Sequence, residues 1–318
     1  MILEQKIPPD WQLVSLAGEM LAIVGLEEAE RDEIGASVLP RVRQRLVELI
    51  TDGHLLPVER AGSGRALSAL GDPRPGVGVR RDCWPDFVWC EVPAGNFIYQ
   101  KSEKRTLPQF WITKYPVTYL QFQAFIEDPS GYNDPKWWNG LDARGLEQQK
   151  QGQLEQAFKY ANHPRENVSW YEAMAFCAWL SAKLDFKITL PTEEQWEKAA
   201  RGSDGRIFPY GNGFDPTKSN TFETGIGMTS VVGLFPNAAS PYGVMEMSGN
   251  VFEWCLNAYE NKVSNLSPIM AYPLRGGAWN YSQDYARTDY RDWLSPEYRF
   301  NRFGFRVVTG VQPLLTEH

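Results

Sequence analysis

Residues 208–308 settle into neither of the two regular periods. Apolar residues there recur neither at every second position, as a half-buried strand requires, nor at three- and four-residue steps, as a helix requires. Yet the stretch is crowded with Tyr, Trp and Phe among Gly, Pro and Asn. So many rings are incompatible with disorder, and structureless loops of that length are uncommon in compact proteins. The segment therefore has to be an ordered, irregular fold, of the kind often pinned by bound cations. The rest of the composition is globular: 43% hydrophobic and 22% charged. At 318 residues the prior is about two domains. A chain of this size buries about 75% of its unfolded surface and needs no disulfide or metal staple. Twelve Trp residues call for a large core or an aromatic binding surface.

Upstream the texture is helical. Leu13, Leu16, Ala17, Met20 and Val24 recur with helical spacing and predict one apolar face. A second helix is expected with Pro40 near its first turn, an apolar face of Val42, Leu46, Leu49 and Ile50, and Gly53 just past its end. A third runs from Pro57 to Leu70-Gly71, and Asp72-Pro-Arg-Pro-Gly76 reads as a linker. Gly62-Ser-Gly64 follows no strand and is no phosphate loop. From residue 84, strand-like runs such as Phe87-Val-Trp-Cys-Glu-Val92 and Phe110-Trp-Ile-Thr113 appear. Capping boxes at Thr118/Gln121 and Ser169/Glu172 open two helices, and Thr192 opens a third. Glu193 and Glu194 lie in its first turn and suit the helix dipole, and with Glu197 they read as structural residues rather than an acid–base set.

Several function classes are excluded. A formal charge of −7 argues against a general phosphate-backbone binder. Cys83, Cys90, Cys177 and Cys255 form no zinc spacing and read as buried thiols of a cytoplasmic chain. His54, His163 and His318 lie too far apart for a histidine metal site. Residues 1–6 lack the opening of a signal peptide, and the apolar run 13–26 is too short to span a bilayer.

Phe87-Val-Trp-Cys-Glu-Val-Pro-Ala-Gly-Asn-Phe97, Tyr115-Pro-Val-Thr118, Asn167-Val-Ser-Trp170, residues 190–202, Gly249-Asn-Val-Phe-Glu-Trp254, Arg275-Gly-Gly277 and Gly304-Phe-Arg306 come in one order. Together they resemble the formylglycine-generating-enzyme, or sulfatase-modifying-factor, family over residues 84–308. The resemblance implies an α+β, C-type lectin-like fold, loop-rich, with a small twisted sheet and a few helices. The expected organisation is a helical region over 1–76 and the lectin-like domain over 77–318.

Three branches of that family differ in chemistry. Formylglycine-generating enzymes use a C-terminal cysteine pair to bind copper, and residues 275–306 contain no cysteine. The iron-dependent sulfoxide synthases need three histidines in an added helical domain, and residues 1–76 hold only His54. No copper, no iron and no catalysis are therefore expected. The third branch, the variable proteins of diversity-generating retroelements, displays a mutable C-terminal segment on a constant frame. Here the frame would be Arg275-Gly-Gly-Ala-Trp279, Ala286-Arg287, Arg291, Pro296, Arg299 and Gly304-Phe-Arg-Val307. The mutable positions, within 279–303, would be Tyr281, Ser282, Asp284, Tyr285, Asp289, Tyr290, Asp292, Leu294, Tyr298, Phe300 and Asn301, with Trp293 either mutable or fixed. Most of these residue types arise when asparagine codons are randomised at adenine. The mixture is also that of a paratope: rigid rings for area, and Ser, Asn and Asp for adaptable hydrogen bonds. The competing reading makes the same rings core residues.

The resemblance further implies structural Ca²⁺. One set of ligands would be Glu246, the Gly249 and Val251 carbonyls and Glu253; a second would be Asn220, the Thr221 carbonyl, Glu223 and the Ile226 carbonyl. The function so implied is non-catalytic binding of a protein ligand, with a signalling or effector portion joined through the N-terminal helices. The alternatives are a cysteine-oxidising enzyme and an undiversified scaffold. Neither nucleic acid nor membrane is an expected partner.

Overall fold

A computed structural model describes residues 10–258 and 271–313; residues 1–6 and His318, read above, lie outside them. Four helices open the chain: α1 (Trp11–Val24), α2 (Leu26–Arg31), α3 (Glu33–Thr51) and α4 (Pro57–Leu70). Asp10 caps α1 by accepting the Gln12 and Leu13 N–H groups. The apolar face expected on α1 is not the face it buries. Leu13, Leu16, Met20 and Val24 stay half-exposed or more, and Ile23 beside them is 86% exposed. The buried face centres on Ser15 and Gly18. These small residues win because they let the helices approach: a Cβ on Gly18 would lie 2.8 Å from a Leu46 methyl, and the Ser63 hydroxyl donates to Ser15 Oγ at 2.8 Å.

Helix α3 starts behind an Asp32 cap, so Pro40 sits inside it rather than in its first turn. The apolar periodicity and the cap outweigh the one backbone donor that proline removes. Gly53, at φ +75°, follows its end. Gly62 and Gly64 lie within α4, where Gly64 admits Val231, 2.3 Å from where a Cβ would stand. Leu39, Leu46, Leu49, Leu67 and Leu70 share one core with Val231, Leu234, Phe235 and Ala238. Nor is the segment after α4 a free tether: Arg74 is buried, pairs with Asp72 and donates to the Val232 carbonyl at 2.9 Å. The expected boundary at residue 76 thus divides the chain but not its core.

The remainder has the expected lectin-like architecture. β1 (Trp89–Val92), β4 (Phe110–Thr113) and β9 (Val308–Thr309) form an antiparallel sheet in the order β1-β4-β9. β2 (Gly95–Tyr99) and β3 (Glu103–Leu107) form a hairpin. The third sheet runs β7-β6-β5-β8, from β5 (Phe252–Trp254), β6 (Tyr272–Arg275), β7 (Asp292–Leu294) and β8 (Phe303–Gly304), with β5 and β8 parallel. Helices α5 (Tyr119–Glu127), α7 (Trp170–Leu184) and α8 (Glu193–Arg201) begin at the Thr118, Ser169 and Thr192 capping boxes. Helix α6 (Ala143–Gln151), capped by Asp142, was not anticipated. Its run of polar residues leaves too weak an apolar stripe to read. Phe122 and Phe125 of α5 and Phe176 and Trp179 of α7 meet Phe303 and Phe305 in the main core. Cys177 and Cys255 are buried, but Cys83 is exposed, in a tight turn at φ +64°. No described helix is long and apolar enough to cross a membrane.

Candidate binding face

Four arginines of the C-terminal segment reach carboxylates carried by other elements. Arg275 on β6 donates to Glu193 at 2.6 Å and to Glu197 at 2.7 Å, both on α8 and both buried. Arg291, just before β7, also grips Glu193. Arg299 pairs with Glu172 of α7 at 3.0 Å. Arg306 forms a two-pronged pair with Glu253 of β5, at 2.6 and 2.8 Å. A buried charge survives only when paired and hydrogen-bonded, so these pairs fix where the segment enters and leaves the body of the protein. Burial alone would raise the Glu193 carboxyl; the Arg275 and Arg291 guanidinia outweigh it and hold it below the usual range. Glu193 and Glu197 are therefore structural, as expected, but as anchors of the distant segment, with Glu193 also in the first turn of α8. Sequence reasoning missed this because their partners lie about 80 residues away.

Gly276 and Gly277, at φ +95° and +75°, let the chain turn out of β6. A Cβ on Gly277 would stand 2.9 Å from Ala286 Cα. Beyond this turn the predicted rings gather. Tyr281 and Tyr285 have ring centroids 4.7 Å apart, and Tyr285 and Tyr290 4.8 Å. Tyr298 stacks on Phe300 at 5.9 Å. The Arg302 guanidinium lies 5.7 Å from the Tyr281 centroid and 4.4 Å from that of Phe300, and so bridges the two groups. Sequence reasoning passed over Arg302; its only signal was a cation set among rings. All five rings are partly exposed, and all but Tyr298 pack by one side on the main core.

The other predicted positions divide. Trp293 stands 42% exposed on β7, an edge strand of its sheet, while Leu294 packs towards the core. Asp284 is exposed, and Ser282 and Asn301 are half-buried. Asp289 is held by Arg287 at 3.1 Å, and Asp292 accepts the Trp293 N–H at 2.9 Å. These two are positioned by the segment itself rather than left as free polar contacts. At the Tyr298 end the face continues into an open cleft of about 520 Å³ against α6, lined by Arg144, Gln151, Leu154 and Tyr298.

The expected calcium ligands are rearranged. Glu253 spends its carboxylate on Arg306 and on the Trp196 N–H at 2.8 Å. Glu246 turns the other way and accepts the Gly233 N–H at 2.8 Å. The Gly249 carbonyl accepts the Val251 N–H at 3.0 Å. Glu246, Gly249, Val251 and Glu253 do not fit one ion, because a cation at Glu253 would face the Arg306 guanidinium. Among the described residues no three His, Cys, Asp or Glu side chains gather into a metal-binding group. The second set fits in part. Asn220 Oδ1 is a buried oxygen with no protein donor, while the Thr221 carbonyl already accepts the Thr224 N–H at 3.1 Å. Glu223, however, is exposed and accepts the Gln283 N–H at 2.9 Å, and Ile226 is only half-buried. One member of each set, Glu246 and Asn220, lines a single small, partly open pocket of about 10 Å³, with Asn250, Ser248 and Lys218. That is room for one water or ion. Glu246 Oε2 has no protein partner, and burial pushes this carboxyl up to about 7.

Comparison with known proteins gives the family and the fold. The family described as "Sulfatase-modifying factor enzyme 1-like domain" matches residues 81–311. The serine/threonine-protein kinase pkn1 of Chlamydia caviae is 32% identical over 222 residues, 65% of this chain and 34% of that protein. The inactive C-alpha-formylglycine-generating enzyme 2 of Bos taurus is 31% identical over 191 residues, 55% of this chain and 59% of that protein. This chain therefore spans only about a third to three fifths of the length of these relatives. Among solved structures, Treponema denticola variable protein 1 superposes with a TM-score of 0.53 at 23% identity, covering 70% of this chain and 95% of that one.

Proposed function

We propose that this chain, which belongs to the sulfatase-modifying factor enzyme 1-like family, is a non-catalytic binding protein that presents residues 279–303 to a protein ligand. The observation that carries this reading is the continuous strip Tyr290–Tyr285–Tyr281–Arg302–Phe300–Tyr298, half-exposed and edged by Asp284, Ser282 and Asn301. Rings already propped on one another and on the core lose little entropy when a partner covers them, so contact area converts efficiently into affinity. Arg275 and Arg306 are fully buried and make none of the strip's ring contacts, while Arg299 lines the cleft at its Tyr298 end. Replacing an exposed ring therefore leaves the frame standing, as a diversified segment requires. The fold shared with a variable protein is consistent with that use.

The family also holds enzymes, and the chemistry of the thiols argues against oxidation of a substrate cysteine here. Cys255, the cysteine nearest the segment in sequence, is buried, and burial raises its thiol well above the ordinary value, away from the thiolate that copper requires. The proposed role for calcium is structural, with Asn220 and Glu246 as side-chain ligands of one ion that ties residues 220–226 to the turn before β5.

Two experiments test this reading. Sequencing the flanking DNA should reveal a near-copy of the codons for residues 275–308, differing mainly at adenines, beside a reverse-transcriptase gene. Without either, diversification is dropped and a constant binding module remains. Oxygen uptake with a thiol peptide and copper should show no turnover; steady turnover would restore the enzymatic reading. A signalling portion joined through the N-terminal helices stays part of the proposal.

A further inference from the structure

The open cleft of about 520 Å³ at the Tyr298 end of the strip is built largely from α6, outside residues 279–303. Leu154, 45% exposed, and the Tyr298 ring, 46% exposed, form its apolar wall. Gln148 of α6 also lines it and is 5% exposed. Its Nε2 donates to the Glu297 carbonyl at 2.7 Å, which fixes the turn of the amide, since the reverse would set oxygen against oxygen. Gln148 Oε1 is then left buried with no partner among the described residues. A buried acceptor without a donor is costly, and the native answer is to supply the donor. The charges around it are spent unequally. Arg299 is tied to Glu172 at 3.0 Å and donates to the Gly152 carbonyl at 2.9 Å. Arg144 is tied to Asp142 at 2.9 Å. The rim carboxylates are held more loosely. Glu297 accepts the Ser295 hydroxyl and has Arg144 only at 3.6 Å. Glu147 has Lys150 at 3.6 Å, both well exposed, and such a pair contributes little. Gln151, exposed, offers either end of its amide. What the cleft has left to give is therefore mainly acceptors, beside an apolar wall.

We infer that this cleft is a subsite for one lysine or arginine side chain of the protein ligand. The aliphatic stem lies along Leu154 and the Tyr298 ring, as long cationic side chains cover apolar surface. The charged head donates to Gln148 Oε1 and to Glu147, and the Tyr298 ring adds cation–π attraction. An acidic side chain would meet Glu147 and Glu297, and an aliphatic one would leave Gln148 Oε1 unpaired. The inference rests on the binding reading and adds to it a contact outside the diversified positions. Glu147, Gln148 and Leu154 stay constant while residues 279–303 change, so different ligands share this one anchor.

Titrating the isotopically labelled full chain with N-acetyl-arginine amide and N-acetyl-lysine amide, read by backbone amide shifts, tests it. Saturable shifts are expected around residues 144–154 and 297–299, and none with N-acetyl-glutamate amide. Glu147→Lys, at an exposed position, should abolish them. Gln148→Leu should weaken binding about tenfold, the loss of one hydrogen bond to a charged group. Lys150→Gln, which frees Glu147 of its exposed cation, should strengthen binding about twofold. Absence of saturable shifts overturns the inference, as do equal shifts with N-acetyl-leucine amide or a Glu147→Lys chain that binds as before. A protein partner that is lost with Tyr285→Ala but indifferent to Glu147→Lys overturns the subsite and leaves the binding reading standing. A partner indifferent to Tyr285→Ala, with the arginine-amide shifts intact, overturns the binding reading and keeps a site for a basic side chain.

Discussion

Arg299 illustrates how single residues in this segment carry unequal loads. It is buried against Glu172, which also serves the Ser169 cap. Arg299→Met leaves that carboxylate buried without its cation and should cost about 3–5 kcal/mol, read by denaturant unfolding. Tyr285→Ala/Tyr298→Ala removes rings that are only partly covered. Each truncation should cost well below the roughly 3–5 kcal/mol of a buried ring, while abolishing binding to any partner selected against the wild-type face. Collapse of the fold would return these rings to the core reading. Acid should weaken the protein in two windows. His163 is buried, and burial, aided by Arg65, lowers it from 6.5 to about 3. The unfolded chain therefore takes that proton first, and stability falls as pH drops from about 6.5 towards about 3. Glu193, held low by its arginines, adds stability above the ordinary glutamate value of about 4.3, lost as pH falls below it. A melting-temperature profile for His163→Gln should flatten between pH 6.5 and 4.5.

At the scale of elements, local chemistry and distant packing contribute separately. The boxes at Thr118, Ser169 and Thr192 were legible because a cap and its third residue are near neighbours in the chain. Helix α1 was half-legible: its periodicity marked an apolar face, but two faces compete, and the small residues Ser15 and Gly18 decided which one closes on α3 and α4. The turn out of β6 depends on glycine for both conformation and space. Gly277→Ala should destabilise by more than about 1 kcal/mol, because φ is +75° and the Cβ would press on the Ala286 backbone. Thermal unfolding beside wild type checks this, and Gly310→Ala, open to solvent, provides the neutral control.

For the whole molecule, the irregular segments hold together through long-range pairs and, by our proposal, one cation. A chelator should therefore lower the melting temperature, by the equivalent of about 2.7 kcal/mol if the ion stood at a hundred times its dissociation constant. Asn220→Ala should melt lower and lose the response to chelator. An unchanged melt, with no metal found by mass spectrometry, removes calcium from the account. Sequence alone determined the helices that open at the Thr118, Ser169 and Thr192 caps and the lectin-like fold carried by motifs in register, and it picked out the rings that the structure brings side by side. Those features rest on neighbours within a few residues or on whole motifs preserved in order. Only the tertiary structure decided that Glu193, Glu197, Glu172 and Glu253 are the segment's anchors, that Glu246 and Glu253 serve different partners, and that α1 buries its small-residue face while Leu13, Leu16, Met20 and Ile23 are exposed among the described residues. A carboxylate's role is set by whichever cation the fold brings to it, and that cation can lie 80 or more residues away.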